Sequence, residues 1–387
     1  MAEAPARTRV PIRACSRLTA IAVVVGAIVG GIACTDLFGP GAHPGTVWIR
    51  SVGDSGGWIG MPAVAGGRAF FVLGPDLVAV SALNGQTLWR LRITYGPTAQ
   101  PQNVVVRDGQ AITNERLGVF VADAATGHVI WNFVPPVLSF GGGVAVDSQA
   151  VYIGTGQHVV YALARADGHV LWSRELDSTW TYSSGVGGLV TSGDTLYVGV
   201  QHYLTSGGGQ STGIVIALDR RTGAELWRYE TPEQHDEVAK QPRVLGRLLL
   251  VPDYYGGGFF VLDRFTGQRL WRAVMESGSL GANWAPIVES NRVFAGDSHG
   301  NVYAYDLATG QELWKRNFDD TFVQDVEWCD GRLAIDNTYL HVAAPTDGTD
   351  LGEVILPGRD AAGSGLAVAD GIAYVEAENH ILAFRCR

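Results

Sequence analysis

The chain has 387 residues, 47% of them hydrophobic and only 17% charged, with 51 glycines and 3 methionines. That is enough apolar material for a large buried core, and many glycines among few charges read as short strands joined by tight turns. The formal net charge is −10; the first 33 residues set Arg7, Arg9, Arg13 and Arg17 against Glu3, so the remainder stands at −13. An acidic body argues against nucleic acid and anionic lipid as main partners, because both need a cationic face.

Residues 1–17 are basic and polar, residues 18–33 form an uncharged apolar run, and Cys34 follows. A basic stretch, an apolar stretch and a small residue before the cut describe an export signal. Gly31-Ile32-Ala33-Cys34 resembles a bacterial lipobox, although Gly31 stands where that motif prefers Leu. Cys34 is then the lipidated first residue of the mature chain. An uncleaved anchor helix is the other reading, with 16 apolar residues short for a membrane span. Thr35, rather than Asp, after the cysteine resembles an outer-membrane sorting address. The expected organisation is a signal over 1–33, a linker over 34–45 and one domain over 46–387.

Inside that domain six segments align without gaps, from SALNGQTLW (81–89) to DLATGQELW (306–314). In each, Trp follows Gly by four residues: Gly85/Trp89, Gly127/Trp131, Gly168/Trp172, Gly223/Trp227, Gly267/Trp271 and Gly310/Trp314. The Gly-to-Gly steps are 42, 41, 55, 44 and 43. A period near 42 is that of a four-stranded propeller blade. The unit 284–316 shows the logic: Ala285–Val288 inner, Arg292–Gly296 returning, Val302–Asp306 third, and Gln311–Arg316 outer. Asp and Thr of the Asp-x-x-Thr-Gly turn can bond turn amides, and the Gly can take positive φ. The Trp offers a flat apolar face to the neighbouring blade.

The 55-residue step carries an insertion, 199–213, that lengthens the hairpin of the fourth blade and whose Ser/Gly content reads as a flexible surface loop. After Trp314, residues 325–356 give one more unit, with Asp347-Gly348 but without the Trp. Residues 364–385 supply only three strands, and Thr46–Arg50, with Trp48, resembles the missing outer strand. The fold class is therefore all-β, an eight-bladed propeller closed by its N-terminal strand, or seven-bladed if 325–356 packs irregularly. Closure by both ends leaves no open sheet edge.

Cys329 and Cys386 would sit in an oxidising compartment, where a disulfide and two free thiols are both open readings. Glu233-Gln234-His235-Asp236-Glu237, with Asp253 or Asp319-Asp320, offers oxygen and imidazole donors, but its spacing matches no ligand pattern and reads as a solvated acidic loop. His158, His341 and His380 fall on strand-like positions with no partner signal. No catalytic residue, metal or cofactor is expected. Trp180, Tyr182, Trp284, Phe140, Phe318 and Phe322 lie in or beside the segments entering each blade from one face, where aromatics either line a binding rim or plug the ring.

The Ala-x-Asp-x-x-Thr-Gly-x-x-x-Trp unit resembles the pyrroloquinoline-quinone (PQQ)-type propeller repeat. That superfamily includes quinoprotein dehydrogenases and BamB-like outer-membrane assembly lipoproteins. A lipobox followed by one bare ring is similar to the BamB-like branch, as are TVWIRSVGDSGG (46–57) and APIVESNRVFAGDSHGNVYAYDLATG (285–310). The resemblance implies a non-enzymatic, lipid-anchored scaffold at the periplasmic face of the outer membrane, a monomer within a complex. Its partner would be the POTRA domains of a BamA-like barrel insertase. The family's docking loop follows the third repeat Trp; here that place reads LDSTWTYSSG (176–185), so Trp180 and Tyr182 are the candidate anchors, without a residue-for-residue match. The dehydrogenase branch implies a pair of adjacent cysteines against the cofactor, and this chain has no Cys-Cys and no C-x-x-C-H. The alternatives are a ring that binds a small ligand or quinone in its central cavity and a surface-displayed propeller that binds glycans or peptides.

Overall fold

The computed structural model describes residues 45–52, 61–93, 103–115, 118–136, 143–177, 185–204, 211–232, 238, 240–253, 257–276, 286–319, 322–337, 339–355, 365–377 and 380–386. These form 32 strands in eight four-stranded antiparallel sheets, with no helix among the described residues. Seven blades are continuous, spanning 63–92, 104–133, 144–175, 185–230, 243–274, 287–317 and 325–355. The eighth joins Leu366–Ala369, Ile372–Ala377 and His380–Arg385 to Thr46–Ser51, with Arg50 opposite Ile381 and Ser51 opposite His380. The ring therefore has eight blades, and residues 325–355 form a regular one.

Burial along a blade follows its place in the stack. The second and third strands are covered on both faces by neighbouring blades, so they read as apolar runs: RAFFVL and DLVAVS in blade 1, LLLVPD and GFFVLD in blade 5. The outer strands alternate between exposed and half-buried residues, as in TLWRLR and VLWSRE. A strand buried on both faces loses the period-2 signal that a one-faced strand keeps.

The repeat tryptophan joins blades rather than finishing its own. Trp89 Nε1 donates to Ala124 O at 3.2 Å, Trp131 Nε1 to Arg165 O at 2.9 Å, and Trp172 Nε1 to Arg220 O at 3.0 Å, each acceptor in the next blade's turn. Trp227, Trp271 and Trp314 repeat this on Arg264, Leu307 and Pro345, and Trp48 of the N-terminal strand on Ala82. The turn glycine lies flat on the same indole. A Cβ on Gly168, at φ +77°, would come within 2.6 Å of the Trp131 ring. So each Gly serves the Trp of the preceding blade, and two constraints, backbone and ring, both demand glycine. At three interfaces a tyrosine hydroxyl joins in. Tyr152, Tyr197 and Tyr374 reach the carbonyls that accept from Trp172, Trp227 and Trp48.

The aspartates hold these turns. Asp306 Oδ1 accepts from Ala308 N at 3.1 Å, Thr309 N at 2.9 Å and Thr309 Oγ1 at 2.8 Å, and Asp123 and Asp219 do the same. Bonds from the turn threonine keep Asp123, Asp219 and Asp306 below the usual carboxylate range.

Seven interfaces carry such a staple; the one between blades 7 and 8 is built differently. In blade 6, Trp314 stands opposite Ala304, and in blade 7 the equivalent place opposite Val342 is Gly352. Instead, Cys329 at the end of Asp325–Cys329 and Cys386 after the last strand form a disulfide, with Cα atoms 5.9 Å apart, inside the apolar cluster between the two blades. Asp325 Oδ2 also accepts from Leu366 N of blade 8 at 2.9 Å.

One expectation changes: strand limits shift by a residue or two, the inner strand of blade 6 being Ile287–Glu289 and its outer strand Glu312–Asn317. The insertion over 199–213 does lengthen the hairpin of blade 4: Thr195–Tyr203 pairs with Ser211–Asp219 out to Tyr203 opposite Ser211. Alternating β-branched residues in VGVQHY extend the strand.

Candidate functional site

Short segments of chain link each blade's outer strand to the next blade's inner strand. Trp180, Tyr182, Trp284, Phe140 and residues 233–237 fall in these links and lie outside the described residues, as do Cys34 and the whole of 1–44. Phe318 is buried, packed with Trp314 and Val323 in the core between blades 6 and 7, whereas Phe322 is half-buried. Asp253 is fully buried and paired with Arg272 at 2.8 Å, so it is not a member of an acidic mouth.

The link 178–184 has both its described ends fixed. On the blade 3 side, Leu176 N donates to His158 O at 3.0 Å; on the blade 4 side, Val186 N donates to Thr155 O at 3.1 Å. Arg228, on the outer strand Glu225–Glu230, reaches back under the start of the link. Its Nη2 donates to Leu176 O at 3.1 Å, its Nη1 lies 3.4 Å from Asp177 Oδ2, and Glu225 holds the guanidinium from the other side at 3.1 Å. A guanidinium gripped by a carboxylate on one side presents the rest of its fork in a fixed direction. Nearby, His158 Nε2 lies 3.5 Å from Glu175. Burial holds the His202 imidazole below its ordinary value, against the pull of Glu230 and Asp177. The result is a rigid, charged rim from which 178–184 departs.

The second concave feature is a cavity of about 490 Å³, lined by the inner strands of blades 4, 5 and 7 and by Met61 ahead of blade 1. Arg243 of blade 5 and Glu327 of blade 7 pair across it at 3.1 Å, past blade 6. Asp325 is buried at its wall. Burial, reinforced by the Glu327 charge, pushes the Asp325 carboxyl well above the usual range. The charges in this cavity already answer one another. The disulfide lies in the core between blades 7 and 8, 57 residues separating its two cysteines in sequence. A quinone sandwiched on adjacent cysteines does not fit this donor set.

Sequence reading missed one constellation. Asp319, His341 and Glu353 come from the blade 6–7 link and from two neighbouring strands of blade 7, and their donor atoms lie within 4.8 Å of one another. His341, read as an isolated strand residue, is flanked by Asp319 and Asp350 at 3.1 and 3.0 Å. The signal was absent from the linear spacing, because only the cross-strand register sets Glu353 opposite His341.

Comparison with known proteins places the chain among relatives. A family model described as outer membrane protein assembly factor BamB matches residues 42–135, 115–181 and 177–344. The outer membrane protein assembly factor BamB of Burkholderia pseudomallei is 25% identical over 366 residues, covering 88% of each chain. The crystal structure of BamB from Moraxella catarrhalis superposes with a TM-score of 0.67 at 16% identity, covering 88% of this chain and 99% of that one. An enzyme is also similar: lupanine 17-hydroxylase [cytochrome c] of a Pseudomonas species is 26% identical over 239 residues, 55% of this chain and 33% of the enzyme.

Proposed function

This chain belongs to the family described as outer membrane protein assembly factor BamB, and on that premise we propose that it is a non-enzymatic scaffold assisting β-barrel assembly at the outer membrane. The observation that carries the reading is the family match over 42–344, which runs from the N-terminal strand into blade 7, together with a relative of the same description covering 88% of both chains. In this reading Cys34 is lipidated after removal of 1–33, and the ring stands outside the cytoplasm at the periplasmic face. A buried disulfide suits that compartment, since cytosolic thiols are kept reduced.

The partner is the POTRA region of a BamA-like insertase, met through the link 178–184 with Trp180 and Tyr182 as anchors. Large aromatics on a fixed rim are the usual hot spots of a protein interface, and Arg228 supports the base of this one. The similarity to lupanine 17-hydroxylase supports the second reading, a cofactor-dependent oxidation in the axial cavity. Against it stand the paired charges of Arg243 and Glu327 and cysteines at 15, 34, 329 and 386, none adjacent.

Cross-linking the protein in its native envelope, followed by purification and mass spectrometry, tests the scaffold. Recovery of a POTRA-containing insertase, lost on Trp180→Ala with Tyr182→Ala, is the expected result. Recovery of the protein without an insertase overturns it. A quinone-dependent turnover in the purified protein selects the second reading.

A further inference from the structure

We propose that Asp319, His341 and Glu353 bind one zinc ion on blade 7, with Asp350 orienting the histidine. The donor set is one imidazole nitrogen and two carboxylate oxygens, all within 4.8 Å of one another. Zinc takes such ligands at about 2.0–2.2 Å in a tetrahedron, which puts neighbouring donors about 3.3 Å apart. His341 Nε2 and Asp319 Oδ2 already stand 3.1 Å apart.

The state of His341 is the observation that points to a cation. The ring is 1% exposed. Its Nδ1 lies 3.0 Å from Asp350 Oδ2. With Nδ1 turned to the Asp350 carboxylate, Nε2 is the ring atom that faces Asp319 and Glu353. Nε2 is buried and makes no hydrogen bond; its approach to Asp319 is too oblique for one. Nε2 and the Asp319 carboxylate thus stand at contact distance with no hydrogen bond between them. The Glu353 carboxylate beside them has no hydrogen bond or ion pair among the described residues. A metal ion between the three takes the buried nitrogen and both carboxylates as donors at once. The carboxylate–histidine–metal relay through Asp350 is the arrangement that fixes the tautomer of a metal-bound histidine.

Rigid elements present the ligands. His341 and Glu353 are directly opposed on strands Tyr339–Ala343 and Asp350–Ile355. Phe318 and Tyr339 pack their rings edge-on against the imidazole, at 5.2 and 6.1 Å between centroids. Asp319 is carried by a fixed backbone: Phe318 N donates to Gly300 O, and Phe318 O accepts from Asn337 Nδ2 at 2.9 Å. Asp319 is exposed, so a coordination position remains open to water. The ion would tie the link between blades 6 and 7 to the outer half of blade 7, the blade whose own outer strand has no tryptophan.

The test is calorimetric titration of the chelator-stripped, full-length protein with zinc chloride alone. One zinc per chain is expected. Asp319→Asn and Glu353→Gln, which change half-exposed or exposed groups, should each remove the one-to-one site while leaving the thermal transition of the stripped protein in place. Asp350→Asn should weaken binding by about 10–100-fold. No saturable one-to-one binding, or binding unchanged by both Asp319→Asn and Glu353→Gln, overturns the site and leaves His341 as a histidine paired with Asp350. The outcome is independent of any insertase partner.

Discussion

Blades 3 and 4 and blades 7 and 8 meet in different ways. At the first interface, Trp172 of one blade gives its N–H to Arg220 O of the next and lies across Gly223, while Tyr152 gives its hydroxyl to the same carbonyl. At the second, the tryptophan position is Gly352 and no repeat turn follows, and a Cys329–Cys386 disulfide joins the blades instead. The difference falls where the two ends of the described ring meet. Six interfaces join one continuous blade to the next. The composite eighth blade, assembled from two distant pieces of chain, meets blade 1 through Trp48 and blade 7 through the disulfide, and the covalent bond works there without the repeat motif. Each blade buries its two faces only against its neighbours, so one weak seam would open a path for the whole ring to fray.

The largest effect should come from removing one staple. Trp131 is 7% exposed and sits in the core between blades 2 and 3. Trp131→Ala should cost about 3–5 kcal/mol, the range for deleting a large buried aromatic, and should leave a denaturant transition at lower midpoint with intact β-sheet signal before it. A loss below about 1 kcal/mol would mean that the indoles decorate the interfaces instead of holding them, and the comparison would collapse.

Opening the covalent seam should cost somewhat less. Cys329→Ser with Cys386→Ser frees a loop of 57 residues; the chain-entropy account gives an upper figure of about 4 kcal/mol, and disulfides typically contribute about 2–4 kcal/mol. Reduction of the unmodified protein should shift the denaturant midpoint by the same amount. The two losses should add in a triple variant with Trp131→Ala, since the sites are far apart and share no partner. Strong coupling between them would show instead that the ring fails as one unit, whichever seam is cut.

The propeller was legible because its repeat is physical at every step: the Asp of the turn, the positive-φ glycine and the tryptophan recur with the blade period, and each has one job. Even the shared blade could be read, since Thr46–Arg50 has the look of an outer strand. The partnership of each Gly with the preceding blade's Trp could not be read, because in sequence the nearer Trp is the one four residues on. The lengthened hairpin of blade 4 could be read from the 55-residue step alone, because only that spacing departs from the blade period. For the sites the gap is wider. Trp180 and Tyr182 remain assigned by resemblance, and the His341 constellation depends on a register that no spacing rule encodes.

The smallest effect tests the charge at the two kinds of interface, and its sign is the informative part. The turn aspartates Asp123, Asp219 and Asp306 have depressed pKa values, so their contribution to stability is present above the unfolded value near 3.8 and is lost as pH falls through the folded one. Asp325, at the covalent seam, is opposite. Its raised pKa means the folded state holds the proton more tightly, so stability is full below 3.8 and declines as pH rises through the folded value. Burial is the first cause and Glu327 the second, with Asp336 adding to the rise and Arg243 opposing it. Glu327→Gln removes one repulsive charge. It should therefore gain stability relative to the unmodified protein as pH is raised from about 4 to 8. The baseline offset from losing the Arg243 pair does not affect this slope. Thermal midpoints of both proteins across that range give the answer. A difference that stays flat or falls with pH would mean that Asp325 is ionised throughout, and that the seam, like the stapled interfaces, is weakened by acid alone.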